Sequence, residues 1–305
     1  MFKHLLVPLD GSRAAEAAVA AAAYFAHRNG ARVTLLHLVE AKAPATIHGE
    51  PHLRSAADAD AYLQSVAARY FKRSDAVAIH VHDVAGRNVV RGILDHLDEL
   101  GPDAVVMSRH GRAGWRRFLF GNIAQRVIAR STTPVLVVRS RRGEPASGPG
   151  FQCRRVLIPH DRSAAHAAAL PAGVELARIC GAKVCLLQVV PTRGALRGAQ
   201  SAAGGLLPGL TDTLLELEHR AEAGHLGQHA RELDTAGVSV KVEVLRGDPA
   251  RLIARSCRSF EADVIVMATH GRAGTRAFWA GSIASRVGAR TDAALLLIPL
   301  KTETG

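Results

Sequence analysis

Residues 107–127 read MSRHGRAGWRRFLFGNIAQRV, and residues 267–287 read MATHGRAGTRAFWAGSIASRV. Aligned without a gap, 13 of the 21 positions are identical. In a chain of 305 residues, a match at this separation marks a tandem duplication of one domain, not a short-period solenoid. Other landmarks recur in the same order. HLLVPLDGS at 4–12 answers RVLIPHDRS at 155–163, and RVTLLHLVE at 32–40 answers KVCLLQVVP at 183–191. The glycine of AGRN at 85–88 answers that of RGDP at 246–249. Between the copies, SRRGEPASGPG at 140–150 is rich in Gly, Pro and Ser and reads as a linker. The expected organisation is a first domain over 1–140, a linker over 141–152 and a second domain over 153–305.

Each copy alternates strand and helix. HLLVPL (4–9) is a short apolar run closed by Asp10 and Gly11, as expected of a buried parallel strand. An Ala-rich helix follows over 14–26, then strand 32–39 and helix 53–73. Residues 76–84 alternate as a strand open on one face, followed by helix 89–99 and buried strand 103–108. Helix 123–129 and strand 134–138 close the copy, with Pro134 at a strand start. The second copy predicts strands at 155–160, 183–190, 238–245, 262–268 and 293–298. Alternating βα units predict an α/β fold of two tandem Rossmann-like domains, each a five-stranded parallel sheet sandwiched between helices. Such sheets bind ligands outside the carboxyl ends of their strands.

Composition narrows the function classes. With 48% hydrophobic and 22% charged residues, the chain has the balance of a globular protein and is not disordered. Aromatic residues are only 4%, too few for the stacking platforms of single-strand nucleic-acid binders. The four cysteines form no C-x-x-C pair and are expected to be reduced buried thiols of a cytoplasmic protein. Neither the apolar run of MFKHLLVPLDG nor Ala17 to Ala26 is long enough for a signal peptide or a membrane span. The formal charge is +12, with 33 Arg against 6 Lys. It is concentrated: residues 104–142 hold nine Arg and no acid, and 264–291 hold four Arg and no acid. The rest of the chain is close to neutral, so the charge points to an anion held locally more than to a diffuse nucleic-acid surface.

The strand ends carry the chemistry. The first strand of each copy ends in Pro8-Leu9-Asp10 or Pro159-His160-Asp161. Each carboxylate can accept from a ribose hydroxyl or base amine, or else cap the next helix. The fourth strand runs into His110-Gly111-Arg112-Ala113-Gly114 and then Gly121-Asn122; its twin is His270-Gly271-Arg272-Ala273-Gly274 and then Gly281-Ser282. Glycines let a backbone turn sharply against an anion, and free N–H groups at a helix start favour negative charge.

These segments resemble the universal stress proteins, specifically their tandem-domain members. That family's ATP signature is Gly, two residues, Gly, nine residues, Gly, then Ser or Thr. The second copy supplies Ala268, Gly271, Gly281 and Ser282 at these places; the first supplies Ser108, Gly111, Gly121 and Asn122. Both depart at the first glycine, and the first copy also departs at the final hydroxyl, so the second domain is the better expected site. The resemblance implies that Asp10 and Asp161 contact the nucleoside, next to Pro8 and Pro159. It makes Leu38 and Val189 backbone contacts to adenine, and Met107 and Met267 pocket walls. Ser108, Gly111, Gly114, Gly121 and Asn122, like Ala268, Gly271, Gly274, Gly281 and Ser282, form the implied phosphate cradle, which Ile123 and Ile283 continue into the helix.

The implied ligand is ATP, ADP or AMP, with Mg²⁺ as a companion ion, and the implied role is stress sensing or signalling. No Walker lysine or paired Mg²⁺ carboxylates are evident, so at most weak ATPase activity is expected and no catalytic residue is assigned. A slow hydrolase or adenylate-chemistry enzyme, and a ligand-free scaffold or nucleic-acid binder, are the alternatives. Ser12 and Ser163 sit in no nucleophile elbow and read as helix caps. His110 and His270 read as loop packing, and His80 and His82 as solvent-facing residues of one strand. No metal ligands are expected. The family's habit of pairing fifth strands implies an internal pseudo-dimer of the two halves, with a homodimer open through any exposed edge.

Overall fold

A computed structural model describes residues 1–40, 46–47, 50–83, 88–110, 122–140, 150–160, 168–190, 227, 230–231, 237–269 and 283–300. These form two compact units. Over the described residues, the first takes in residues 1–152, Thr269 and 294–300, and the second takes in 153–268 and 283–293.

In the first unit β1 (His4–Pro8), β2 (Arg32–Val39), β5 (Val77–Asp83), β6 (Ala104–His110) and β7 (Val135–Ser140) form one parallel sheet in the order β5-β2-β1-β6-β7. Two short strands, β3 (Thr46–Ile47) and β4 (Glu50–Pro51), make a separate antiparallel pair that the sequence pattern did not announce. Helices α1 (Glu16–Asn29), α2 (Ala56–Tyr70), α3 (Val89–Leu100) and α4 (Asn122–Ile128) connect the strands. The central strands are buried on both faces, which is why they read as continuous apolar runs: Leu5, Leu6, Val7, Val105 and Val106 are fully enclosed.

Helix α1 approaches the sheet closely because its inner face is alanine, with Ala18, Ala21 and Ala22 fully buried. Glu16 in its first turn is buried too, held by the Arg69 guanidinium at 2.9 Å and the Tyr70 hydroxyl at 3.2 Å from the end of α2. Burial, reinforced by Glu16, pushes the Tyr70 phenol up to about 12, so it stays a donor. The helix stops at Gly30, whose φ of 68° lets its N–H reach back to the Ala26 carbonyl.

The second unit repeats the plan. Strands β8 (Arg155–His160), β9 (Lys183–Val190), β10 (Val240–Arg246) and β11 (Val264–Thr269) lie parallel in the order β10-β9-β8-β11. Its helices are α5 (Ala169–Cys180), α6 (Pro249–Phe260) and α7 (Ile283–Gly288). Gly173 of α5 sits where a Cβ would come within 2.4 Å of Ile158, so this glycine sets the helix–sheet spacing. The fifth strand of the repeat, β12 (Ala294–Pro299), runs antiparallel to β7, with Leu296 opposite Leu136. All four cysteines are buried and none is in a disulfide; burial raises the Cys185 thiol to about 12 and leaves it unreactive. Among the described residues no helix is long and apolar enough to cross a membrane.

Candidate functional site

Both sheets reverse their strand order at the first strand of the repeat, between β1 and β6 and between β8 and β11. These switch points are where an open α/β sheet receives a ligand. The ladders there are short. β1 and β6 share only the partners Leu5↔Ala104 and Leu6↔Val105, and β8 and β11 only Val156↔Val264 and Leu157↔Ile265. Beyond them each pair of strands continues to its carboxyl end without pairing. Proline helps to hold the seam open. The Leu9 N–H donates to Leu36 of β2 at 2.8 Å, so by strand alternation the nitrogen of Pro8 faces β6 and offers no donor. Pro159 occupies the same register position in β8, opposite Leu187 as Pro8 is opposite Leu36.

Side chains paired in register point to the same face of a parallel sheet. Pro8, Leu38 and Met107 therefore share one face of the first sheet, and Pro159, Val189 and Met267 share the matching face of the second. Residues far apart in sequence are brought to one side of one crevice in each unit. Met107 and Met267 are buried walls, Leu38 is buried, and Val189 is half-buried. Ser108 and Ala268, one residue on, are half-buried on the opposite face.

Asp10 is half-buried at the mouth of the first crevice. One carboxylate oxygen accepts the Ser12 N–H at 3.0 Å and the Ser12 hydroxyl at 2.7 Å. Ser12 in turn accepts the Ala15 N–H at 3.2 Å and Asp10 braces it, but this closes the turn before α1 and does not cap the helix as expected, since α1 starts after Ala15 with no side-chain cap hydrogen bond. Gly11, between them, has φ of 87° and lies against Leu53, where a Cβ would approach to 3.0 Å. The turn thus holds the Asp10 carboxylate against Ser12 at the strand end. Asp161, Gly111, Gly114, Gly121, Gly271, Gly274, Gly281 and Ser282 lie outside the described residues. Asn122 opens α4 with its backbone only described, while Ile123 and Ile283, at the starts of α4 and α7, are exposed.

Sequence reading missed three supports of the site. The first is His37, one residue before Leu38 and 1% exposed. Its Nδ1 donates to the Leu9 carbonyl at 2.9 Å, tying β2 to the loop that carries Asp10. Its counterpart by register is Gln188, also buried, and each retains one enclosed atom without a hydrogen-bond partner, His37 Nε2 and Gln188 Oε1. Burial is the main reason the His37 pKa lies below the ordinary imidazole value. The unfolded chain therefore takes up a proton at higher pH than the fold does. Stability is full above the unfolded pKa near 6.5 and falls as pH drops from there towards the folded value. His37→Gln, which copies the second repeat, is expected to flatten that acid slope, as urea titrations at pH 7.5 and 5.5 would show; an unchanged slope would mean that other groups carry it.

The second is Arg109. It lies in register with Arg139 on β7 and is 5% exposed. Burial, with Arg139 beside it, brings its guanidinium down to about 10. The first repeat thus builds part of its positive charge into the sheet, where the second repeat has buried Thr269. The third is Asp248, which caps α6 by accepting the Arg251 N–H at 2.9 Å and also accepts from Arg286 of α7. Burial works against its charge, but these donors prevail and hold its carboxyl below the usual range. This pair anchors the helix that follows the second glycine-rich segment. The first repeat has Asn88 in the capping position, accepting from the Val90 N–H at 2.9 Å. A motif search sees none of the three, because each depends on a partner distant in sequence.

Comparison with known proteins agrees with this geometry. The sequence model described as "Universal stress protein family" matches twice, over residues 1–139 and 152–299. A universal stress protein from Archaeoglobus fulgidus DSM 4304 has the same fold with a TM-score of 0.68 at 15% identity, covering 98% of this chain and 99% of that one. A protein of unknown function from Pseudomonas aeruginosa PAO1 matches with a TM-score of 0.65 at 14% identity, covering 98% of this chain and 92% of that one.

Proposed function

The chain belongs to the universal stress protein family, as a tandem member with two family domains, and from that premise we propose that it binds an adenine nucleotide as a sensing or signalling module. The observation that carries this reading is the twofold crevice. Each repeat opens its sheet at the switch point, walls one face with a proline, a methionine and the end of the second strand, and follows with a glycine-rich segment. The residue types suit a nucleoside. The apolar face takes a base, the Asp10 carboxylate and its counterpart Asp161 accept from ribose, and the basic segments favour phosphates. Among the described residues no carboxylate cluster gathers, so the Mg²⁺ that accompanies ATP would be held by the phosphates and solvent.

The second repeat is the better site, because Ser282 supplies a hydroxyl where the first repeat has Asn122. We read the module as acting by binding and not by turnover, because no Walker lysine or paired Mg²⁺ carboxylates are evident in the sequence. Antiparallel pairing of β7 with β12, the last strands of the two repeats, supports an internal pseudo-dimer. Isothermal titration of the full chain with ATP, ADP and AMP tests the proposal. Saturable binding of at least one nucleotide is the expected outcome, and no heat from any of them at millimolar concentration overturns it.

A further inference from the structure

Three histidines scattered in the sequence meet on one face of the first sheet, away from the switch point. His80 and His82 lie two residues apart on β5 and share a face, in register with Leu36 and Leu38 of β2. Their face is only partly open to solvent, because His96 of α3 packs against it. The His96 and His82 rings are close to perpendicular, with centroids 4.6 Å apart, and the His80 ring lies 6.4 Å from His96. His82 is exposed and His80 half-buried, whereas His96 is 4% exposed.

The tautomer of His96 is set by its surroundings. Its Nδ1 lies 2.8 Å from the Gly92 carbonyl, which can only accept, so the proton is on Nδ1. Nε2 then carries a lone pair, and it is enclosed without a hydrogen-bond partner. This is how metal-binding imidazoles are prepared: a backbone carbonyl takes one N–H and orients the other nitrogen for the ion. The spacing agrees. Two imidazoles bound to one ion at about 2.0–2.1 Å hold their centroids roughly 4.5–5.5 Å apart, and the His82–His96 distance of 4.6 Å falls in this range.

We propose that His82 and His96 form a binding site for a divalent transition-metal ion of the Zn²⁺ or Ni²⁺ class, at the open edge of the first sheet. Among the described residues no three His, Cys, Asp or Glu side chains already converge on one point. The ion is therefore held by two imidazoles, with water or a rotated His80 completing its shell, as the exposure of His82 allows. Imidazole donors without thiolate select this class of ion over Mg²⁺ or Ca²⁺. The site uses none of the residues assigned to the crevice, although His82 lies in register with Leu38 on the same face of the sheet.

The test is titration of the full chain with ZnCl₂ and NiCl₂ in a non-coordinating buffer, beside His82→Ala, His96→Gln and the control His27→Ala. His27 pairs with Asp75 at 2.9 Å and is remote from the cluster in sequence. The expected result is one micromolar-class site, weakened about tenfold or more by either cluster variant and unchanged in the control. Substoichiometric Ni²⁺ should also broaden the imidazole signals of His82 and His96 before those of the other histidines. His82→Ala alters an exposed side chain, so the test survives even if His96→Gln does not fold. Affinity unchanged in His82→Ala, or broadening that begins at other histidines, overturns the proposal.

Discussion

Gly281→Asp is expected to abolish ATP binding by the second repeat while leaving the fold intact. In the proposed site this glycine immediately precedes Ser282 at the end of the phosphate segment. A carboxylate brought to about 4 Å from a phosphate oxygen, at an effective dielectric near 20, opposes binding by about 4 kcal/mol. That is roughly a thousandfold in Kd. The penalty grows with phosphate charge, so ATP should suffer more than AMP in paired calorimetric titrations. The same change at Gly121 should cost the chain less total binding, since Asn122 already leaves the first repeat without the hydroxyl. Native-like circular dichroism with an unaltered ATP isotherm in Gly281→Asp would refute the assignment of this segment to phosphate.

Phe25→Ala is expected to lower the stability of the first unit by about 3–5 kcal/mol. Helix α1 packs on the sheet largely through alanines, so its large apolar burial is concentrated in few side chains. Phe25 is fully enclosed and stacks on fully enclosed Phe2, with centroids 4.3 Å apart and planes 14° from parallel. Tyr24 meets it edge-on at 5.4 Å, and Phe151, from the segment between the repeats, approaches to 5.8 Å. Removing the ring opens a cavity among residues anchored in three separate stretches, which cannot collapse together. Phe25→Leu keeps most of the volume and should cost about 1.5 kcal/mol or less. Urea denaturation followed by far-ultraviolet circular dichroism measures both. A loss under about 1 kcal/mol for Phe25→Ala would mean that the cluster repacks and is not a fixed anchor.

The parallel core was legible because buried strands leave an unbroken apolar signature. The expected strands 32–39 and 183–190 coincide with Arg32–Val39 and Lys183–Val190. Pro134 does precede the strand that begins at Val135. Short β3 and β4 escaped notice, since two-residue strands carry no period. His82 is exposed as expected, but His80 is half-buried, for a different reason. The pattern of β5 shows that one face is polar, but not that an imidazole from α3 packs against it. Likewise the local excess of arginine was countable, but the burial of Arg109 beside Arg139 needed the register of β6 against β7.

The sequence by itself determined the duplication, the alternating βα plan and the residue types at the strand ends, because these are properties of local order and spacing. Pairing decided the rest. Only in the folded sheets do the ladders of β1 with β6 and β8 with β11 stop after two partners, which opens the crevices. Only there do Pro8, Leu38 and Met107 share a face, His37 reach Leu9, and His96 meet His82. Such contacts depend on strand order and register, and those are settled by which apolar faces can be buried together, not by any stretch of chain read alone.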